Sequence, residues 1–457
     1  MNRIDKAPDV NRRAFLKGSS IMMMMGGIAI KAADEKAPAA DAPAKKPSSP
    51  PVKCGVIGCG PWGRDVVQIL GRMPNAPVVA ISDLYSVFAK RAAQEAPNAK
   101  TYIGYQELLK NPDVEAVIIA TPTHTHKEIV AAAIAAGKHI YCEAPLAHTV
   151  AEAREIALLS RKNPKIYFQT GLQMRSDPEV INIKNFVEAG AMGRTIRAQS
   201  QYNKKQSWRR SSSDSEREKM LNWRLDKQIS PGLVGEIGIH SIDQAAWFLR
   251  SRPVAVTGFG DVVHWKDGRE VPDSIQVVFE FPGGVLASYS AMLGNSFDGS
   301  YDMFYGTDAA IMMRDRKSWM FKEVDSPLLG WEVYARKETF HKETGIVLAA
   351  NATKQASHGD NPLTSALTHD SSSLFYALEA FITNAYMHKS AVEDFEASFD
   401  SADTAALAEY LVDINKNKVQ HATVEQGYEA NLMALKANEA VLQRKRIEFD
   451  PNWFTLS

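Results

Sequence analysis

Residues 58–63 read Gly-Cys-Gly-Pro-Trp-Gly, and no other segment narrows the possible folds of this chain as far. An apolar run at 52–57 precedes it. Val66, Val67, Ile69 and Leu70 follow at helical spacing within 62–73, so the order is strand, tight turn, helix. Gly58 permits the turn. Gly60 leaves room for a phosphate against backbone N–H groups at the positive end of the helix, and Gly63 lets helix and strand pack closely. Pro61 and Trp62 complete the turn beside the same ligand. Asp83 lies about twenty residues on, at the end of the next apolar run, where its carboxylate can accept hydrogen bonds from the hydroxyls of an adenosine ribose. A 2′-phosphate there would meet negative charge, so the expected cofactor is NAD, with NADP less favoured.

The runs at 78–81 and 114–120 are apolar enough to be covered on both faces, as strands of parallel sheets are. Helical stretches at about 86–95, 125–136 and 150–162 alternate with further strands near 139–142 and 166–170. Repeated strand–helix units with right-handed crossovers give a doubly wound parallel sheet, a Rossmann domain over 52–172. Beyond it the texture changes. Strand candidates at 195–202, 255–263, 274–281 and 284–292 alternate polar and apolar residues, which predicts an open, mainly antiparallel sheet with one covered face. A charged loop at 209–219 and a helix at about 236–249 lie between them, and 295–370 carry no clear pattern. Helices return at about 371–387, 400–415 and 427–444. The fold class is α/β throughout, with a second domain over 173–425 and a helical tail over 426–457.

Basic and acidic residues balance at 53 each in 457, which removes the electrostatic case for nucleic acid as a partner and fits a small neutral or weakly charged ligand. Cys54, Cys59 and Cys142 are too few for a disulfide scaffold and read as small buried apolar residues. At the start, Asn11-Arg12-Arg13-Ala14-Phe15-Leu16-Lys17 precedes an apolar run and looks like a twin-arginine export signal occupying 1–33. The Ala- and Pro-rich residues 34–51 read as a linker. The expected location is the periplasm, either free or anchored to the membrane facing it, because Lys31 interrupts the small residues of a cleavage site.

Four segments together resemble the Gfo/Idh/MocA family, that of glucose-fructose oxidoreductase and inositol dehydrogenase. They are Gly55-Val56-Ile57-Gly58-Cys59-Gly60, Ala120-Thr121-Pro122-Thr123-His124-Thr125-His126, Gly137-Lys138-His139-Ile140-Tyr141-Cys142-Glu143 and Gly238-Ile239-His240-Ser241-Ile242-Asp243. The resemblance implies a second domain whose open sheet serves substrate binding and homo-oligomerisation. It also implies that Thr121, Pro122, His126 and Glu143 line the nicotinamide, and that His240 exchanges the proton of the reacting hydroxyl. Glu236, four residues earlier on the same helical face, would contact substrate or orient that ring. Arg175, Trp223 and Arg224 match stretches that approach substrate in relatives. No metal is expected, because His124 and His126 lack an accompanying Cys or carboxylate set. The family's usual Glu-Lys-Pro is here Glu143-Ala144-Pro145, so the ammonium that holds the reacting hydroxyl is missing.

The functions these residues allow are three. The first is an NAD-dependent oxidoreductase acting on a sugar, polyol or glycoside hydroxyl, its cofactor held tightly because little could be exchanged outside the cytoplasm. The second is a redox-neutral, NAD-dependent glycosidase, which suits the loss of the lysine. The third is a sugar- or cofactor-binding protein that kept the fold without the chemistry.

Overall fold

The computed structural model describes residues 49–340, 343–347, 372–400 and 402–456. The twin-arginine segment and most of the linker lie outside the described residues. Among the described residues, no helix is long and apolar enough to cross a membrane.

The first unit runs β1 (Cys54–Ile57), α1 (Pro61–Leu70), β2 (Val78–Ser82), α2 (Ser86–Ala92), β3 (Lys100–Tyr102), α3 (Tyr105–Leu109), β4 (Ala116–Ile119), α4 (His126–Ala135), β5 (His139–Glu143), α5 (Val150–Lys162) and β6 (Phe168–Gly171). Its six strands are all parallel, in the order β3-β2-β1-β4-β5-β6. The reversal of strand order lies between β1 and β4, the place where doubly wound sheets open a crevice at their carboxyl ends. β1 and β4 are buried along their whole length, which is why their sequences are continuous apolar runs and not alternating ones. β3 is mostly exposed and carries no such run, and the sequence pattern does not reveal it.

The second unit begins with α6 (Pro178–Glu188) and β7 (Thr195–Asn203). Within the charged loop Asp214 caps a short helix, α7 (Ser215–Leu221). A π-helical turn at Val234–Gly238 then leads into α8 (Ile239–Leu249). β8 (Ala255–Asp261), β9 (Ser274–Phe281) and β10 (Val285–Met292) follow, and the patternless region supplies β11 (Ser300–Gly306), β12 (Ala309–Arg314), β13 (Lys317–Lys322), β14 (Lys337–Phe340) and β15 (Glu343–Val347). With β16 (Ile447–Glu448) these make a ten-stranded sheet, antiparallel except where β7 runs alongside β10. Its covered face packs on α8 and on α11 (Val424–Gln443), a core that includes Ile242, Phe248, Val277, Phe279, Leu432 and Val441.

Two segments depart from the contiguous division. Helix α9 (Ser373–Ser398) packs Leu374, Leu378, Phe381 and Ile382 against Val66, Leu70 and Tyr141, so it completes the first core from beyond the second unit. Helix α10 (Thr404–Lys416) then packs on the outer end of α9 through Leu407 and Leu411. The terminal helix α11 is no tail. Gly427 lies where a Cβ would meet Thr170 Oγ1 at 2.3 Å, and Val424 and Tyr428 enter the first unit while Leu432 and Ala437 enter the second. One helix therefore belongs to both cores.

Candidate functional site at the carboxyl end of the parallel sheet

The glycine turn is built as its spacing requires. Gly58 has φ +91°, and a Cβ on it would lie 2.7 Å from the Ala120 backbone, where β1 and β4 part. A Cβ on Gly63 would approach Gly58 O at 1.9 Å, so the first turn of α1 can sit this close only with glycine there. Gly60 has open space in the direction of a Cβ, the cradle a phosphate would use. Pro61 opens the helix and Trp62 is 42% exposed beside it.

Asp83 closes the other side. Its Oδ2 accepts from Cys59 N and its Oδ1 from Tyr85 N, both at 2.8 Å, which fixes the carboxylate against the turn and leaves lone pairs on each oxygen for a diol. Burial raises its pKa while the two N–H groups oppose the rise. These residues fit the adenosine and pyrophosphate of a dinucleotide.

Across the crevice, the loop after β4 is internally braced. Thr125 Oγ1 donates at 2.8 Å to Pro122 O or Thr121 Oγ1. His126 was expected at the cofactor. Its Nδ1 instead lies 2.9 Å from Pro145 O and its Nε2 3.0 Å from Thr121 O, so the ring staples the loops after β4 and β5 together. Burial pulls His126 down to about 4, so near neutrality its single N–H donates to one of the two carbonyls, as the tautomer decides.

Glu143, the last residue of β5, is buried against Gly171, and its Oε1 has no hydrogen-bond partner. Burial pushes this carboxyl up to about 7, against the opposing pull of Trp62 and Gln173. Tyr141, two residues earlier on the same strand face, also has a buried hydroxyl without a partner. Sequence reasoning did not single out Tyr141 or Gln173, since only strand alternation and the third dimension bring them beside Glu143.

The second unit contributes through the π-helical turn. Glu236 accepts from Thr123 Oγ1 at 2.8 Å through Oε1 and from Arg224 Nε at 3.0 Å through Oε2. Both oxygens are engaged, so Glu236 does not orient His240 as the four-residue spacing suggested. The extra residue of a π turn alters the i, i+4 register, and the carboxylate ties the loop after β4 to the start of α8. Arg224 is half exposed, lying 4.5 Å over the ring of Trp223, while Trp223 itself is buried with His124 at 5.8 Å.

Arg175, expected near substrate, is held elsewhere. Its Nε and Nη2 donate to Asp243 Oδ2 and Oδ1, each at 2.8 Å, and its guanidinium lies 5.0 Å over Trp247. Buried and bidentate, it fastens the start of the second unit to α8 and has no fork left for a substrate. No side chain or backbone group among the described residues hydrogen-bonds the ring of His240. Burial pulls it below the ordinary histidine range, and Asp243 partly offsets this, so it is a neutral base near pH 7. Cys54, Cys59 and Cys142 are buried free thiols whose pKa burial pushes up, which removes them as nucleophiles.

Comparison with known proteins follows the same outline. Residues 52–171 match the family model described as oxidoreductase family, NAD-binding Rossmann fold, and residues 180–312 match that of the GFO/IDH/MocA C-terminal domain. Inositol 2-dehydrogenase of Salmonella typhimurium is 33% identical over 147 residues, 32% of this chain and 44% of that protein, so the match spans under half of the relative. Levoglucosan dehydrogenase of Pseudarthrobacter phenanthrenivorans is 28% identical over 290 residues, 56% of this chain and 72% of the relative. Among solved structures, levoglucosan dehydrogenase in complex with NADH and levoglucosan superposes with a TM-score of 0.63 at 20% identity, covering 87% of this chain and 99% of that one. An oxidoreductase domain protein from Kribbella flavida gives 0.65 at 19% identity, covering 88% and 100%. At such identities these likenesses show the fold. The two family models together cover more than half of the sequence, and the chain belongs to the Gfo/Idh/MocA oxidoreductase family.

Proposed function

We propose that the protein is an NAD-dependent oxidoreductase of a sugar or polyol hydroxyl, with His240 as the group that exchanges the hydroxyl proton. The observation that carries this is the pairing of a dinucleotide cradle, Gly58, Gly60, Gly63 and Asp83, with the imidazole of His240, neutral and without a hydrogen bond among the described residues. The Glu236–Thr123 bond holds the helix carrying that imidazole against the carboxyl end of the sheet. The relatives named for inositol and levoglucosan support the substrate class.

NAD, when bound, would take up hydride from the carbinol carbon. His240 accepts the hydroxyl proton as the carbonyl forms, and in reduction it returns it. Glu236 holds the loop after β4 and the Arg224 head in place, which makes it a positioning residue. Asp83 selects against a 2′-phosphate by charge, which supports NAD over NADP. Denaturing the purified protein and assaying the supernatant for nicotinamide dinucleotide tests cofactor binding, and sugar-dependent growth of reduced-nicotinamide absorbance tests the chemistry. No cofactor on the purified protein and none bound on addition would overturn the reading.

Ala144 favours a second reading. A site without the lysine suits a redox-neutral glycosidase, in which a sugar is oxidised, loses its aglycone, takes up water and is reduced again. Steady hydrolysis of aryl glycosides with no net cofactor reduction would select it over the first.

The Arg12-Arg13 segment supports export by the twin-arginine route to the periplasm with the cofactor already held. Loss of periplasmic protein in an Arg12→Lys, Arg13→Lys double variant checks this. The outward face of the ten-stranded sheet, with exposed Phe259 and Leu286 among polar neighbours, supports a homo-oligomer, and light scattering measures it.

A further inference from the structure

Residues 209–222 run out from the second unit and return. Arg209 pins the ends by donating to Glu218 Oε1 at 2.7 Å and to Asp267 O at 2.8 Å. Asn222 and Arg210 exchange two bonds of 2.8 Å. Helix α7 within this segment buries no residue, so no core of its own holds it in place. It also reaches the first unit, at Tyr85 and Phe88. The Arg217 guanidinium lies 4.8 Å over the ring of Tyr85 and 5.9 Å over that of Phe88, and Tyr85 OH donates to Met220 Sδ at 3.4 Å. Tyr85 is also the residue whose N–H fixes Asp83 Oδ1. A ribose held by Asp83 therefore lies two residues from the ring on which the strap rests. Arg217 Nε is buried there without a hydrogen-bond partner.

We propose that residues 209–222 form an interdomain strap over the adenosine end of the cofactor, and that Arg217, stacked on Tyr85, is a retaining residue that sets the rate of NAD release. This rests on the NAD reading above. The chemistry is that of a cation over an aromatic ring: the guanidinium carbon lies 4.8 Å from the Tyr85 centroid, and the unpartnered Nε–H is the donor that would turn to the adenine or the ribose. The dinucleotide leaves only after that contact parts, so a strap with little burial of its own still governs residence.

Purified full-length protein, loaded with NADH, is chased with excess NAD while nicotinamide fluorescence reports release. Arg217→Ala is expected to raise the release rate on the order of tenfold and to lower the cofactor retained through desalting, with an unchanged melting temperature for the cofactor-free protein. Tyr85→Ala is expected to do the same, and the double variant no more than the larger single one, because both remove one contact. Additive effects, or a release rate in Arg217→Ala equal to that of the parent, would overturn the strap while leaving the cofactor site standing. A parent that binds no NADH would overturn both.

Discussion

Strand β5 ends in two buried titratable groups on the same face, His139 at its start and Glu143 at its finish, and their surroundings could hardly differ more. At the amino end a network of hydrogen bonds surrounds the histidine. His139 Nδ1 accepts from Tyr167 N at 3.0 Å, His388 Nε2 lies 2.9 Å from Pro164 O, and Lys418 Nζ lies 3.1 Å from His388 Nδ1 and 4.4 Å over the Tyr167 ring. Asn384 bonds Tyr167 OH and Val419 O. At the carboxyl end Glu143 Oε1 and Tyr141 OH are buried and unanswered. Buried polar groups are normally satisfied, and in this sheet the exceptions gather at one edge. One end of the sheet is closed by a hydrogen-bond network of the chain itself; the other keeps two buried polar atoms outside any such network.

The comparison can be broken from either end. The largest effect should come from the reacting side: His240→Ala is expected to lower turnover about a thousandfold, roughly 4 kcal/mol in the barrier, with bound NAD per folded molecule unchanged. Loss of cofactor in that variant would move His240 from chemistry to binding. Next, Phe381→Ala at the closed end should cost about 3–4 kcal/mol of stability in chemical denaturation, since its ring is fully buried between Tyr141 and Tyr167. Its cofactor affinity should stay put; a change would show that the two ends are coupled through β5.

Acid gives a third, smaller test with opposite signs at the two ends. Burial pulls His139 down to about 4 and His388 to about 3, so below about pH 6.5 the unfolded chain takes up protons that the folded chain refuses. Each histidine should therefore take on the order of 2–3 kcal/mol from stability as pH falls from 6.5 toward 4, and His139→Gln should remove its share of the fall. Glu143, pushed up to about 7, works the other way: its folded form holds a proton the unfolded chain releases above about 4.5. Stability is lost as pH rises through that window, and Glu143→Gln should recover part of it at pH 8. A parent whose melting temperature is flat from pH 4 to 8, matched by both variants, would show that neither end is shifted. The smallest effect is Asp83→Asn, expected to weaken NAD binding about tenfold, close to 1.4 kcal/mol, in a fluorescence titration.

What was legible in the sequence was local. Gly58, Gly60, Gly63 and Asp83 carry their roles in short-range backbone geometry, and the structure returns each of them at the turn. The partners of Glu236 were out of reach, because Thr123 is 113 residues away and a single π turn overrides the helical spacing to His240. The same holds for Arg175, which read as a free cation until Asp243 closed on it. β12 and β13 were invisible for a different reason: the turn between them places Asp315 and Arg316 at positive φ, without the glycine or asparagine that usually marks such a hairpin. Helix α9 was recognisable as a helix but not as part of the first core, since nothing in an amphipathic pattern names the face it will cover.

That helix also sets a schedule for synthesis. Tyr141 and Tyr167 emerge from the ribosome long before Phe381, and at roughly ten residues per second the six-stranded sheet waits on the order of twenty seconds with one face uncovered. Throughout that interval the second unit is being made inside the gap. The nascent chain must therefore fold from the middle outward or be shielded until residue 385 is free, and a chain cut anywhere before that helix should be captured by chaperones or precipitate.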